Sequence, residues 1–125
     1  MINDISLDRL AIVCNTHKPD LYAVSSSFYK DLPIRQVTVD GRAGLYSLWY
    51  LDRLINTLPE IDWAISVDED FFLTDYRVML DLVSYQVETG YGFSGVPDGG
   101  VIDHRFHNPV AINPFFTIMD LRQFR

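Results

Sequence analysis

A single cysteine, Cys14, stands among the 125 residues, so no disulfide can form within the chain. Small extracellular domains lean on such bridges. This chain must fold without them, which suits a reducing compartment and leads to the expectation of a cytoplasmic protein. Cys14 lies in an apolar run and reads as a small buried side chain. Basic residues are scarce: 10 Lys and Arg face 17 Asp and Glu, for a formal net charge of −7. Without a basic cluster, nucleic acid and anionic membrane are poor partners. No stretch approaches the ~20 apolar residues of a transmembrane helix. Met1-Ile2-Asn3-Asp4 lacks the basic and apolar blocks of a secretory leader. Repeats, low-complexity tracts and Gly/Ser linkers are missing too, so residues 1–125 read as a single domain.

What the chain does have is core material. Hydrophobic residues make up 48% and aromatics 14%, enough for one packed core and too much for disorder. Short β-like runs alternate with helical patterns. Leu10-Ala11-Ile12-Val13-Cys14 reads as a buried parallel strand ended by Asn15-Thr16-His17-Lys18. Pro19 can open a helix carrying Leu21, Val24, Phe28 and Leu32, which Pro33 stops. Ile34 to Val39 is a second strand, with Asp40-Gly41 as its turn. Leu45, Leu48, Trp49, Asp52, Ile55 and Leu58 set out a second helix before Pro59, and Trp63 to Val67 a third strand. Tyr76, Met79, Leu80, Val83 and Val87 mark a third helix, with Gly90 near its C-cap. A glycine-interrupted strand (Tyr91 to Val96), a loop (Pro97 to Asn108) and a last strand (Phe115 to Met119) follow. The alternation predicts an α/β protein: a three-layer, Rossmann-like, mostly parallel sheet with helices on both faces. Its strand ends should then bring Asn15–Lys18, Asp40–Gly44 and Asp68–Phe72 to one edge, where open α/β sheets bind ligands.

At that edge stands Asp68-Glu69-Asp70, between an apolar strand and Phe71-Phe72-Leu73. Along an extended strand Asp68 and Asp70 project to one side, their Cα atoms about 6.6 Å apart. Two carboxylates so placed repel unless a cation sits between them. A hard divalent ion suits them: Mg²⁺ is commonly held by one or two carboxylates plus substrate phosphates, and Mn²⁺ fits the same oxygen-rich site. Glu69, one residue out of phase, should face away from that ion. A D-x-D tripeptide is a weak signal alone, since acids cluster on many solvated turns; its place after a buried strand is what strengthens it.

Taken together, Asn15-Thr16, Val39-Asp40-Gly41 and Asp68-Glu69-Asp70, each closing a strand, resemble the nucleotide-sugar half of GT-A fold glycosyltransferases. The likeness covers about Leu10 to Leu73. It implies a metal-dependent enzyme, or its donor-binding part, here either a fragment or a small relative lacking part of the active site. Such an enzyme transfers a sugar from a nucleotide-diphospho-sugar donor to a carbohydrate or other hydroxyl acceptor. By position, it implies that Asp40 meets the nucleobase and Thr16 lines the same pocket. Asp68 would face the ribose and the metal, and Asp70 would ligate Mn²⁺ or Mg²⁺ directly. In the Pro97–Asn108 loop, Asp103 and His104 are candidates for the general base. His104 and His107 match no usual zinc spacing.

Blander readings stand beside these. Asp40 before Gly41 is as readily a turn former, and Arg42 and His17 read first as solvated. Phe115, Phe116, Trp49 and Trp63 read as core. Two rival functions also remain. One is a haloacid dehalogenase-like phosphatase with Asp68 as nucleophile, although Phe72 stands where a threonine or valine is expected. The other is a non-catalytic domain that binds a nucleotide-sugar or a protein partner.

Overall fold

The computed structural model describes residues 5–43, 48–97 and 112–125. Five strands form one sheet in the order β2-β1-β3-β5-β4: β1 is Leu10–Thr16, β2 Arg35–Asp40, β3 Trp63–Val67, β4 Phe93–Pro97 and β5 Ile112–Asp120. β1 pairs in parallel with both β2 and β3, while β5 runs antiparallel to β3 and to β4. Four strands therefore point one way, in a mixed sheet of α/β class. Parallel β1 is buried on both faces, as its unbroken apolar run requires.

Period-2 alternation sorts that run into two cores. Leu10, Ile12 and Cys14 face one layer with Ile65, Val67, Met79 and Val83, the last two from helix α3 (Tyr76–Thr89). Ala11 and Val13 face the other with Leu54 and Leu58, which belong to or directly follow helix α2 (Leu48–Thr57). Helix α1 (Pro19–Ser26) lies on the α3 side, where Tyr22 packs against the first core. The expected helices on both faces are present.

Two details depart from the sequence pattern. The first helix was expected to bury Leu21, Val24, Phe28 and Leu32, of which Leu32 packs against the first core. Instead Ser25 is buried, Tyr22 packs inward and Tyr29 follows them, while Val24 and Phe28 are each 57% exposed. Tyrosines can cover the sheet with ring area while keeping a polar tip, so the amphipathic pattern was misphased. The last strand also reverses. Because β5 is antiparallel, its first residues rather than its last lie at the edge where β3 ends, with Val67 opposite Phe116.

Helix α3 ends where its sequence predicts, and the structure adds a cap at its start. Asp75 caps it by accepting from the Arg77 amide, and Gly90 closes it at φ 73°. Among described residues, no helix is long and apolar enough to cross a membrane.

Nothing lies within 4 Å of a Cβ built on Gly90, so the cost of a side chain there is conformational alone. Gly90→Ala is expected to destabilise the fold by about 1 kcal/mol, read as a lower urea midpoint with an unchanged slope. An unchanged midpoint would show that the left-handed cap is not held in solution.

Candidate functional site

Each of the three mutually parallel neighbours β2, β1 and β3 delivers a polar turn to the same edge. In register, Thr16 lies opposite Asp40 and Cys14 opposite Val67, so the residues after β1, β2 and β3 emerge together. Gly41 shows how closely two of these turns approach. A Cβ built on it would lie 2.6 Å from Asn15 Oδ1 and 2.6 Å from His17 Nε2. With no Cβ on Gly41, the β2 turn sits against the Asn15 and His17 side-chain tips, which would have to move aside for a larger residue.

The acidic turn joins them through Glu69. Its Oε2 accepts from the backbone amides of His17 at 2.6 Å and Lys18 at 2.7 Å. Buried Ser25 of α1 donates its hydroxyl to the Glu69 carbonyl at 2.7 Å. The turn closes on itself through the Phe71 amide to the Asp68 carbonyl, and the Asp68 amide donates to Phe115 of β5. Glu69 thus neutralises the start of α1, where amides and the helix dipole favour an anion. The alternation that set Glu69 facing away fails because β3 ends at Val67; past it the chain turns, and period 2 no longer applies.

Asn15, His17, Lys18, Leu21, Asp68, Glu69 and Asp70 line a polar cavity of about 240 Å³. The two carboxylates expected to hold a metal therefore share a cavity with the β1 turn. Thr16 does not line it. It points to the same side of the sheet as Cys14, is 2% exposed, and gives its hydroxyl to the Cys14 sulfur at 3.4 Å. Asn15, one residue earlier and on the opposite side, takes the position expected of Thr16. Asp40 does not line the cavity either; it is exposed beside it, across from Thr16 in register, with Arg42 forked across it at 2.9 Å and donating its amide to Oδ1. Asp40 thus makes the turn that its Asp-Gly sequence suggested. Arg42 holds its pKa down at about 2, so it stays charged at any working pH. Asp103 and His104 lie outside the described residues.

The electrostatics at the cavity are one-sided. Desolvation by the surrounding loops, then the charges of Asp70 and Glu69, raise the Asp68 pKa, although the residue as a whole stays exposed. The same three acids are felt at Cys14, whose thiol burial pushes up to about 11. Carboxylates gathered this way are complementary to a cation. Among described residues no three metal-ligating side chains meet, so no cage made by protein alone is formed. Two carboxylates fit a hard divalent ion whose remaining positions are filled by water and by oxygens of a bound ligand.

Compared with known proteins, the chain matches no protein-family model and no curated sequence.

Two substitutions separate scaffold from site. Glu69→Ala strips acceptors from two amides and is expected to cost about 1–2 kcal/mol, lowering the thermal midpoint by several degrees. Asp68→Asn should act in reverse. Because the folded-state pKa is raised, ionised Asp68 opposes folding once pH exceeds that pKa, whereas below the unfolded value both states are protonated. The variant should therefore melt about 1–2 °C higher at pH 7, a small gain because water screens an exposed group, and equal to the parent near pH 3. A lower midpoint at pH 7 would contradict the crowding of acids described above.

Proposed function

We propose that the chain is a metal-dependent glycosyltransferase of GT-A type, or the donor-binding part of one. On this reading it transfers a sugar from a nucleotide-diphosphate donor to an acceptor hydroxyl. The observation that supports the reading is the meeting of three strand ends: Gly41 against Asn15 and His17, and Glu69 on the His17 and Lys18 amides. Fold resemblance alone would not carry a function, whereas a shaped acidic site beside basic side chains carries more.

In this proposal Asp68 and Asp70 hold Mn²⁺ or Mg²⁺, which when bound offsets charge developing on the leaving diphosphate. Lys18 and His17 line the same cavity and face the phosphates. Asp40, fixed by Arg42, meets the nucleobase or ribose beside the cavity. Glu69 ligates nothing: it keeps the two carboxylates at the mouth of the β1 turn. The acceptor oxygen bonds to the anomeric carbon as the bond from that carbon to the diphosphate breaks. The acceptor proton passes to a base, for which Asp103 and His104 are the candidates.

Isothermal titration with UDP and with GDP, each with and without Mn²⁺, tests the donor site. One nucleotide should bind only when the metal is present. At a hundred times the dissociation constant it should stabilise the fold by about 2.7 kcal/mol. Asp70→Asn should abolish the metal-dependent part. Binding should also weaken as pH falls through the raised pKa of Asp68, since protonation removes a ligand. If neither nucleotide binds with Mn²⁺, or if Asp70→Asn binds as the parent does, the proposal fails. Nucleotide binding without transfer across a panel of hydroxyl acceptors would restrict it to a non-catalytic donor-binding domain.

A further inference from the structure

A second cavity, about 260 Å³, begins where the acidic turn ends. Asp70 lines the polar cavity, and the next residue, Phe71, lines this one, with Cα atoms about 3.8 Å apart. Its character is opposite. Phe71 stacks on Phe116 at 5.2 Å between centroids and meets Phe115 edge-on at 5.5 Å, so these three rings wall it together, with Phe72 as a fourth lining ring. The reversed direction of β5 is what brings Phe115 and Phe116 to this edge. Val78 and Leu82 of α3, 58% and 45% exposed, and Val96 of β4, 38% exposed, also line the cavity.

Two features narrow what such a cavity accepts. The first is charge. Among the described residues Asp75 is its only ionisable lining residue, and Asp75 is already occupied by the Arg77 guanidinium at 2.9 and 3.0 Å and by the Arg77 amide. A charged group inside would find no free counter-charge among these residues, which favours a neutral occupant. The second is size and shape. A cavity of about 150 Å³ lined by aliphatic and aromatic side chains accommodates benzene, so 260 Å³ suits one or two fused rings rather than a long chain. A wall of three rings favours an aromatic guest through stacked and edge-on contacts.

We propose that this cavity receives a neutral aromatic group of the acceptor, so that the acceptor is an aryl alcohol or an aryl-bearing hydroxyl compound. This rests on the donor-site reading above for the direction of transfer. The ring seats against Phe71, Phe115 and Phe116, and the hydroxyl lies toward Asp68 and Asp70. No other described pocket pairs an apolar wall with the acidic turn in adjacent residues. The larger cavity lined by Phe28, Tyr29, Leu32, Ile34, Tyr76 and Leu80 includes none of the acids at the strand ends.

The experiment is a titration of the full chain, ¹³C-labelled at Val and Leu methyls, with 2-naphthalenemethanol and with methanol as control. UDP and Mn²⁺ are titrated separately. The naphthyl alcohol should saturably shift the methyls of Val78, Leu82 and Val96, and methanol should not. Val78→Asp, on an exposed helix position that keeps the fold, should weaken the naphthyl alcohol by about tenfold or more and leave UDP–Mn²⁺ binding unchanged. Leu82→Asp should do the same, guarding against a local effect of one variant. Absence of a saturable shift overturns the proposal, as do shifts confined to Leu32 and Leu80, or unchanged affinity in both variants. If the naphthyl alcohol binds as expected but UDP–Mn²⁺ does not bind, the donor reading fails. The acceptor role then falls with it, and what is left is an aryl-binding cavity.

Discussion

The carboxylate of Glu69 on the amides of His17 and Lys18 is the contact on which the rest of the site depends. Parallel strands bring their ends to a common edge, but they do not fix the turns that follow. Here one acid ties the β3 turn to the β1 turn, and Ser25 secures the same residue from α1. Gly41 completes the arrangement by admitting the β2 turn to the space beside Asn15 and His17. With Glu69 spent on the scaffold, Asp68 and Asp70 remain facing the cavity, crowded by like charge and, among the described residues, without a guanidinium across them. That imbalance costs stability and suits the capture of a cation.

The opposite end of the sheet is built the other way. Asp62, just before β3, is gripped by Arg9 through two bonds of 2.6 and 2.8 Å and is approached by Arg125 at 3.7 Å. Arg125 also donates to the carbonyls of Leu58 and Ile61. Asp120, ending β5, takes the guanidinium of Arg122, which lies over the Trp63 ring at 5.2 Å. Burial alone would raise the Asp120 pKa; the Arg122 and Gln123 bonds outweigh it and hold it below the usual carboxylate range. Acids at this end are compensated and structural, whereas after β3 only Glu69 is so held, and Asp68 and Asp70 have no guanidinium partner among the described residues. The contrast between paired acids at one end of the sheet and crowded ones at the other is the electrostatic feature on which the proposed site rests.

Much of this was legible in the residues. The unbroken apolar run of β1 announced a strand buried on both faces, and Asp-Gly announced the turn after β2. Gly90 marked the end of α3, and Trp63 and Phe116 read correctly as core. What escaped notice did so for physical reasons. Tyr22, Ser25 and Tyr29 carry the inner surface around α1, yet a pattern search weighs Val24 and Phe28 more heavily. Thr16 and Asn15 are neighbours on opposite faces, so an error of one residue exchanges a buried hydroxyl for a cavity wall. Glu69 was assigned by alternation in a segment that is already a turn. The direction of β5 left no local trace, because Phe115 to Met119 is equally apolar read either way. The apolar cavity depends on that direction and was correspondingly invisible.

The central proposal is that the turns after β1, β2 and β3 form one metal–nucleotide site. Paramagnetic broadening of backbone amide signals by substoichiometric Mn²⁺, recorded with and without the nucleotide that binds, reads this residue by residue. The account predicts that Mn²⁺ broadens Asp68 to Phe71 first. Added nucleotide should then extend and strengthen the broadening at His17, Lys18, Gly41 and Arg42 together. Broadening scattered over unrelated surface acids, or a pattern at Asp68 to Phe71 that nucleotide leaves unchanged, would contradict it.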